Sequence, residues 1–192
     1  HVDMDDSGLV PESLREKVTA ARQDGKSVKF LYTVPNYSNP SGISQSTERR
    51  REILAVADEL DLLVVEDNPY GLLNLDGDPL PTLKSMDPDN VVYLGSFSKT
   101  FAPGFRIGWV LSPSFVRDKL VLAQESATLC PPVFSQFAVS SYLAHWDWRA
   151  QVDSFINMYR IRRDTMLASL AETMPEGTTW SHPSGGFFVW LT

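Results

Sequence analysis

Three short apolar runs constrain this sequence more than anything else in it: VKFLYTV (28–34), LLVVED (62–67) and VVYLGS (91–96). Each is too short for a buried helix, is rich in β-branched, leucine or aromatic residues, and is bounded by turn-forming residues. That pattern predicts buried strands. One helical segment precedes them and another separates the first two, while a loop rich in Gly, Asp and Pro (71–90) leads to the third. In PESLREKVTAARQD (11–24), Pro11 suits a first helical position, Leu14, Val18 and Ala21 recur at helical spacing, and Gly25 is a stop. In STERRREILAVADEL (46–60), Ser46 or Thr47 is a cap, and Ile53, Val56, Ala57 and Leu60 share one face. FRIGWVLS (105–112) reads as a fourth strand. Strands alternating with helices predict an α/β fold, a mostly parallel sheet with helices on both faces. Helices are then expected at 113–127, 133–144 and 147–173, leading to a further strand at FFVWL (187–191).

Composition narrows the function classes. The net charge of −7 argues against a nucleic-acid surface, which needs a basic patch. Two arginine runs, Arg49–Arg51 and Arg160 with Arg162 and Arg163, fall in helical segments and are expected to form solvated or salt-bridged faces. Cys130 is the single cysteine, so no intramolecular disulfide can form. It precedes Pro131-Pro132 without a basic neighbour and is expected to be an inert structural residue, in keeping with a reducing compartment. His1, His145 and His182 show no ligand spacing, so no metal site is expected. No stretch approaches the roughly 20 apolar residues of a membrane span. The chain starts at His1 and stops right after the strand-like GGFFVWL, so an excerpt of a longer polypeptide, truncated at both ends, is expected.

In open α/β sheets, ligands sit beyond the carboxyl ends of the strands. Asn39 follows the first strand in NPSG; Asp67 and Tyr70 follow the second in EDNPYG; Ser96, Ser98 and Lys99 follow the third; Arg106 opens the fourth. Each alone has an ordinary reading: Asn-Pro as a turn, Asp67 as a loop cap, Tyr70 as core with its hydroxyl satisfied. Lys99 stands out because Phe97, Phe101, Phe105 and Trp109 surround it in sequence, an apolar wrapping for one amine. Together the set suits a ligand carrying an aldehyde, a phosphate, an aromatic nitrogen and a phenolic oxygen. The amine would take the aldehyde, the carboxylate would hold a proton on the ring nitrogen, and hydroxyls and an arginine would hold the phosphate.

Four ordered motifs, PNYSNPSG (35–42), VVEDNPYG (64–71), YLGSFSKTFAPGFRIGW (93–109) and HPSGGFFVW (182–190), carry a family resemblance. The sequence resembles the fold-type I pyridoxal-phosphate enzymes of aminotransferase class I/II. It is most similar to the branch holding 2-aminoadipate and kynurenine aminotransferases and aminotransferase-like bacterial regulators. The resemblance implies pyridoxal 5'-phosphate as cofactor and transfer of an amino group from an α-amino acid to a 2-oxo acid, 2-oxoglutarate being the expected acceptor. By position, it implies that Lys99 forms the internal aldimine and shuttles the substrate proton, and that Asp67 pairs with the pyridine nitrogen. Asn39 and Tyr70 would bond the phenolic oxygen, and Ser96, Ser98 and Arg106 the phosphate. It further implies a cytoplasmic homodimer in amino-acid metabolism, with residues 1–145 in the large cofactor-binding domain. Residues 146–192 would form the interdomain helix and the start of a small domain. The family's ring-stacking aromatic and phosphate-binding glycine turn would lie before His1, and its carboxylate-binding arginine beyond Thr192. The stretch 125–136 corresponds to a variable region at the site entrance. Two alternatives share all these residues: the effector-sensing domain of a bacterial transcription regulator, and a β-eliminating lyase with the same cofactor.

Overall fold

A computed structural model describes residues 1–192. Its centre is a four-stranded sheet in the order β3-β4-β5-β6, built from Phe30–Thr33, Leu63–Asp67, Val91–Ser96 and Gly108–Leu111. A small hairpin of β1 (Met4–Asp5) and β2 (Gly8–Leu9), unannounced by the sequence pattern, precedes it. Strands β3, β4 and β5 run parallel, in the register Tyr32↔Val65 and Glu66↔Tyr93. Strand β6 is antiparallel to β5, pairing Gly95 with Trp109 and Ser96 with Gly108. The direction of β6 follows from its connection: residues 97–107 hold only a single 3₁₀ turn (Pro103–Phe105), too little for the crossover that a parallel neighbour requires. The start of FRIGWVLS is therefore turn, with Arg106 left-handed at φ 56°.

Helices α1 (Pro11–Gln23) and α2 (Thr47–Glu59) cover one face of the sheet. Leu14 and Val18 of α1 and Ile53, Val56 and Ala57 of α2 meet Leu31, Val64 and Val91 of the strands in one buried cluster. Both helices end in a Schellman arrangement. After α1, Gly25 N–H bonds Arg22 and Lys26 N–H bonds Ala21; after α2, Asp61 N–H bonds Asp58 and Leu62 N–H bonds Ala57. Gly25 and Asp61 take the left-handed position these turns require, and Ser46 caps α2 by accepting from the Arg49 amide. On the other face of β3, Phe30 and Tyr32 stay more than half exposed.

A four-residue helix, α3 (Leu83–Met86), breaks the loop after β4. Helices α4 (Ser114–Thr128), α5 (Val133–His145) and α6 (Trp148–Thr173) follow within one or two residues of their expected limits. No helix is long and apolar enough to cross a membrane. Cys130 is exposed just after α4 rather than packed in a core. FFVWL forms no continuous strand: only its end finds a backbone partner, through the Trp180–Leu191 bridge and the mutual bonds of Thr179 and Thr192. The segment ahead of it is tightly docked. Ser184 O accepts from the Leu75 and Asp76 amides, and Gly186 N–H bonds Leu73 O. A Cβ on Gly185 would lie 2.3 Å from the Tyr37 ring, so glycine is required for this approach.

Arg50 overturns part of the expectation for the first arginine run. Arg49 pairs with Asp5 and Glu52, and Arg51 with Glu48, as expected of a salt-bridged face. Arg50 is fully buried. It lies three residues before Ile53 and seven before Ala57, so helical geometry turns it inward with them. Its guanidinium is satisfied by the carbonyls of Gln45 (2.9 Å), Pro81 (2.7 Å) and Pro35 (3.2 Å) and by Asn36 Oδ1 (2.5 Å). The second run behaves as expected: Arg163 pairs with Asp76 and Asp164, and Arg160 bonds Leu75 O at 2.8 Å.

Candidate active site

The residues singled out at the strand ends lie along the carboxyl edge of the sheet, where parallel β3, β4 and β5 all terminate. Asp67 is the last residue of β4, and alternation along the strand turns it away from the face that α1 and α2 cover. Its Oδ2 accepts the Tyr32 hydroxyl at 2.5 Å, which leaves Oδ1 available. The following loop turns sharply enough to bury Tyr70. Burial, and then the charge of Asp67, raise the Tyr70 phenol above its ordinary pKa, while a hydrogen bond from Asn39 lowers it again. Asn39, Asp67 and Tyr70, though 31 residues apart in sequence, are thus neighbours.

A buried amide layer holds the two loops that carry them. Asn36 Nδ2 donates to Asn68 Oδ1 at 2.9 Å, and Arg50 holds Asn36 from below. Gln45 Nε2 donates to Thr33 Oγ1 at 2.9 Å, closing the loop after β3 onto its own strand. Gly71 is needed beside this layer because a Cβ there would come within 2.4 Å of the Asn68 amide. Glu66, buried on the opposite side of β4 from Asp67, accepts from the Lys84 amide at 2.8 Å. Burial raises its carboxyl pKa, with the amides of Lys84 and Leu83 and the Arg50 charge opposing.

The turn after β5 gathers the remaining groups. Ser98 N–H donates to Ser96 Oγ at 3.1 Å, and Phe97 N–H bonds Ile107 O at 3.1 Å, folding the turn that carries Arg106 back beside the serines. Arg106 is exposed and spends one donor on Pro103 O at 3.2 Å. Its left-handed backbone, costly for a residue with a Cβ, aims the side chain out of the turn.

The aromatic wrapping expected around Lys99 is arranged differently. Trp109 stacks on Tyr93 with centroids 5.0 Å apart and covers Gly95, where a Cβ would meet the indole at 2.3 Å. Phe101 packs on Phe105 and on Tyr142 of α5, at 5.1 and 4.4 Å. The aromatic ring recorded over the Lys99 amine is Phe187, its centroid 5.9 Å from Nζ. Phe187 also packs edge-on against Tyr70 at 5.7 Å, so it joins the lysine to the Asp67–Tyr70 group. Its signal was the HPSGGFFVW motif, but sequence separation hid its place beside Lys99. Tyr32 was likewise missed, since nothing in VKFLYTV distinguishes a core tyrosine from a site tyrosine.

The sequence pattern of the family described as aminotransferase class I and II matches residues 2–192. The chain belongs to that family. It is 42% identical to aromatic-amino-acid aminotransferase 1 of Thermococcus litoralis over 100% of this chain and 46% of the relative. Against the mitochondrial kynurenine/alpha-aminoadipate aminotransferase of Bos taurus, identity is 37%, over 100% of this chain and 47% of the relative. The crystal structure of Pyrococcus horikoshii kynurenine aminotransferase, in complex with PMP and with KYN as substrates and KYA as products, superposes with a TM-score of 0.94. Identity there is 41%, covering 100% of this chain and 48% of the other. The chain spans about half the length of the curated relatives it matches. The superposition over the whole chain agrees with that membership.

Proposed function

We propose that the complete protein is a pyridoxal-phosphate-dependent aminotransferase that moves an amino group from an α-amino acid to a 2-oxo acid, with 2-oxoglutarate as acceptor. The observation that carries this reading is one group at the sheet edge: Tyr70 beside both Asn39 and Asp67, with Phe187 linking Tyr70 to Lys99. The donor set fits the cofactor. The ion-paired lysines are Lys17 and Lys26, whereas Lys99 keeps its amine for an aldehyde. Asp67 keeps one oxygen for a ring N–H, and Ser96, Ser98 and Arg106 offer hydroxyls and a guanidinium to a phosphate.

Pyridoxal phosphate, when bound, supplies an aldehyde that bonds an amine and a protonated ring that accepts electrons from the substrate's Cα. Asp67 holds the proton on the ring nitrogen, which makes that electron acceptance possible. Tyr70 and Asn39 would hydrogen-bond the cofactor's phenolic oxygen. Lys99 would hold the cofactor's aldehyde and, with its amine free, would take the proton from the substrate's Cα and deliver it to the aldehyde carbon two bonds away. Phe187 lies over the amine. Ser96, Ser98 and Arg106 fix the phosphate end, so that the reacting carbon stays in reach of Lys99.

Residues 1–145 form part of the cofactor-binding domain on this reading, and residues 146–192 the interdomain helix and the start of a smaller one. The long α6 supports this, as does the docking of Ser184–Gly186 back onto Leu73–Asp76. The protein works as a homodimer in the cytoplasm, in amino-acid biosynthesis or breakdown. Phe115, Val121, Phe134 and Phe137 on α4 and α5 are more than half exposed and suit burial against the rest of the protein or a second subunit. The test is turnover by the complete protein with a panel of amino acids and 2-oxoglutarate. Glutamate formed in equal amount to the new 2-oxo acid is expected. Cofactor binding without turnover would favour a sensor domain, and release of ammonia and pyruvate from β-substituted donors a lyase.

A further inference from the structure

We propose that Tyr32 is the positioning residue for Asp67: its hydroxyl fixes the carboxylate so that one oxygen is engaged by the protein and the other faces the cofactor's ring nitrogen. The inference rests on the reading of Asp67 given above. It starts from sheet geometry. Tyr32 and Asp67 stand on adjacent parallel strands, and the register places Tyr32 opposite Val65, two residues before Asp67. Residues 65 and 67 point to one face, the face Tyr32 shares, and a tyrosine is long enough to reach the diagonal neighbour. The hydroxyl meets Asp67 Oδ2 at 2.5 Å, the length of a hydrogen bond from a phenol to an ionised carboxylate. On the other side, the residue paired with Asp67 in β5 is Leu94, which offers no side-chain donor. The phenol is therefore the side-chain donor that orients this carboxylate.

A carboxylate held by one oxygen cannot rotate freely, so less ordering remains when a cationic ring nitrogen binds. The phenol stays a donor throughout the working range: burial first, then the bond to and charge of Asp67, push its pKa up to about 12.

The test uses the complete protein with Tyr32→Phe, which removes only the hydroxyl, beside Asp67→Asn. Cofactor dissociation constants are measured at equilibrium, and the ring nitrogen is followed by NMR with ¹⁵N-labelled cofactor. Tyr32→Phe is expected to weaken cofactor binding about tenfold and to move the ring-nitrogen resonance. Because Tyr32 is half exposed, its apoprotein should melt as the parent does. Unchanged affinity and resonance in Tyr32→Phe, with both altered in Asp67→Asn, would overturn the role of Tyr32. Unchanged values in Asp67→Asn would overturn the reading of Asp67 itself, and the proposal with it. A measurement on the apoprotein needs no Tyr32 variant: Asp67→Asn should lower the titration of the Tyr32 phenol from about 12, and an unmoved titration would show that no such bond exists.

Discussion

On the proposed reading the two Asp67 carboxylate oxygens have different tasks, one bonded by Tyr32 and one left for the cofactor, so losing the charge is expected to be costly. In Asp67→Ala, electron acceptance by the ring loses its fixed counter-charge. Turnover of the complete protein is expected to fall on the order of a hundredfold or more. Near-parental kcat would contradict the assignment. Arg106 gives a different readout. On the proposed reading its loss removes a guanidinium that helps hold the phosphate, not a group that touches the reacting atoms. Arg106→Ala should therefore weaken cofactor retention by roughly 10- to 100-fold in equilibrium dialysis, with the amino-acid dependence of the loaded enzyme little changed. The place of both residues at the sheet edge was legible in the sequence, because a strand end followed by polar residues is a local pattern. Tyr32 and Phe187 were not. Their roles arise from a diagonal across two strands and from a contact spanning 88 residues, neither of which leaves a local trace.

At the scale of elements, α2 both builds the core and holds the site loops. Ile53 is fully buried between α1 and the strands, and Ile53→Ala should cost about 2–5 kcal/mol in urea unfolding of the complete protein. Arg50 lies one turn earlier on the same face and secures the loop carrying Asn39 through Pro35, Asn36 and Gln45. Arg50→Met leaves these acceptors buried without a donor. A loss of about 3 kcal/mol or more in the same experiment is expected, with weaker cofactor binding. A change within 0.5 kcal/mol, the range of a surface substitution, would show that the layer contributes little. The helix limits were legible because caps, period and the Gly25 stop all agree. Arg50 was obscured by its charged neighbours, though its spacing to Ile53 carried the information. The direction of β6 lay in the length of its connection rather than in the strand. FFVWL has a strand-like composition, but composition cannot say whether a backbone partner stands beside it.

Over the whole molecule, α6 is tied to the segment after β4 by ion pairs. Arg163 and Arg160 hold Asp76, and those contacts, led by the hydrogen bond from Arg163, keep its carboxyl below the usual range. A lowered pKa in the folded state stabilises the fold above the unfolded pKa, and that contribution vanishes as pH falls through the folded one. Asp76 is half exposed, so the effect is small and screened. Asp76→Asn should flatten the loss of stability below about pH 5, as judged by thermal melts across pH. A curve superposing on the parent's would contradict that link. The general plan, an α/β sheet presenting polar residues at its carboxyl edge, was legible from the order of elements. The docking of HPSGG beneath Tyr37 and Leu73 was not, because it depends on a close backbone approach that only three dimensions reveal.

The most direct test of the account is chemical. The complete protein is loaded with pyridoxal phosphate, its visible spectrum recorded, and the complex reduced with borohydride and mapped by peptide mass. The account predicts a reduced cofactor adduct on Lys99 and a spectral change when an amino acid is added before reduction. An adduct on another lysine, or none on Lys99 in protein that binds the cofactor, would contradict it.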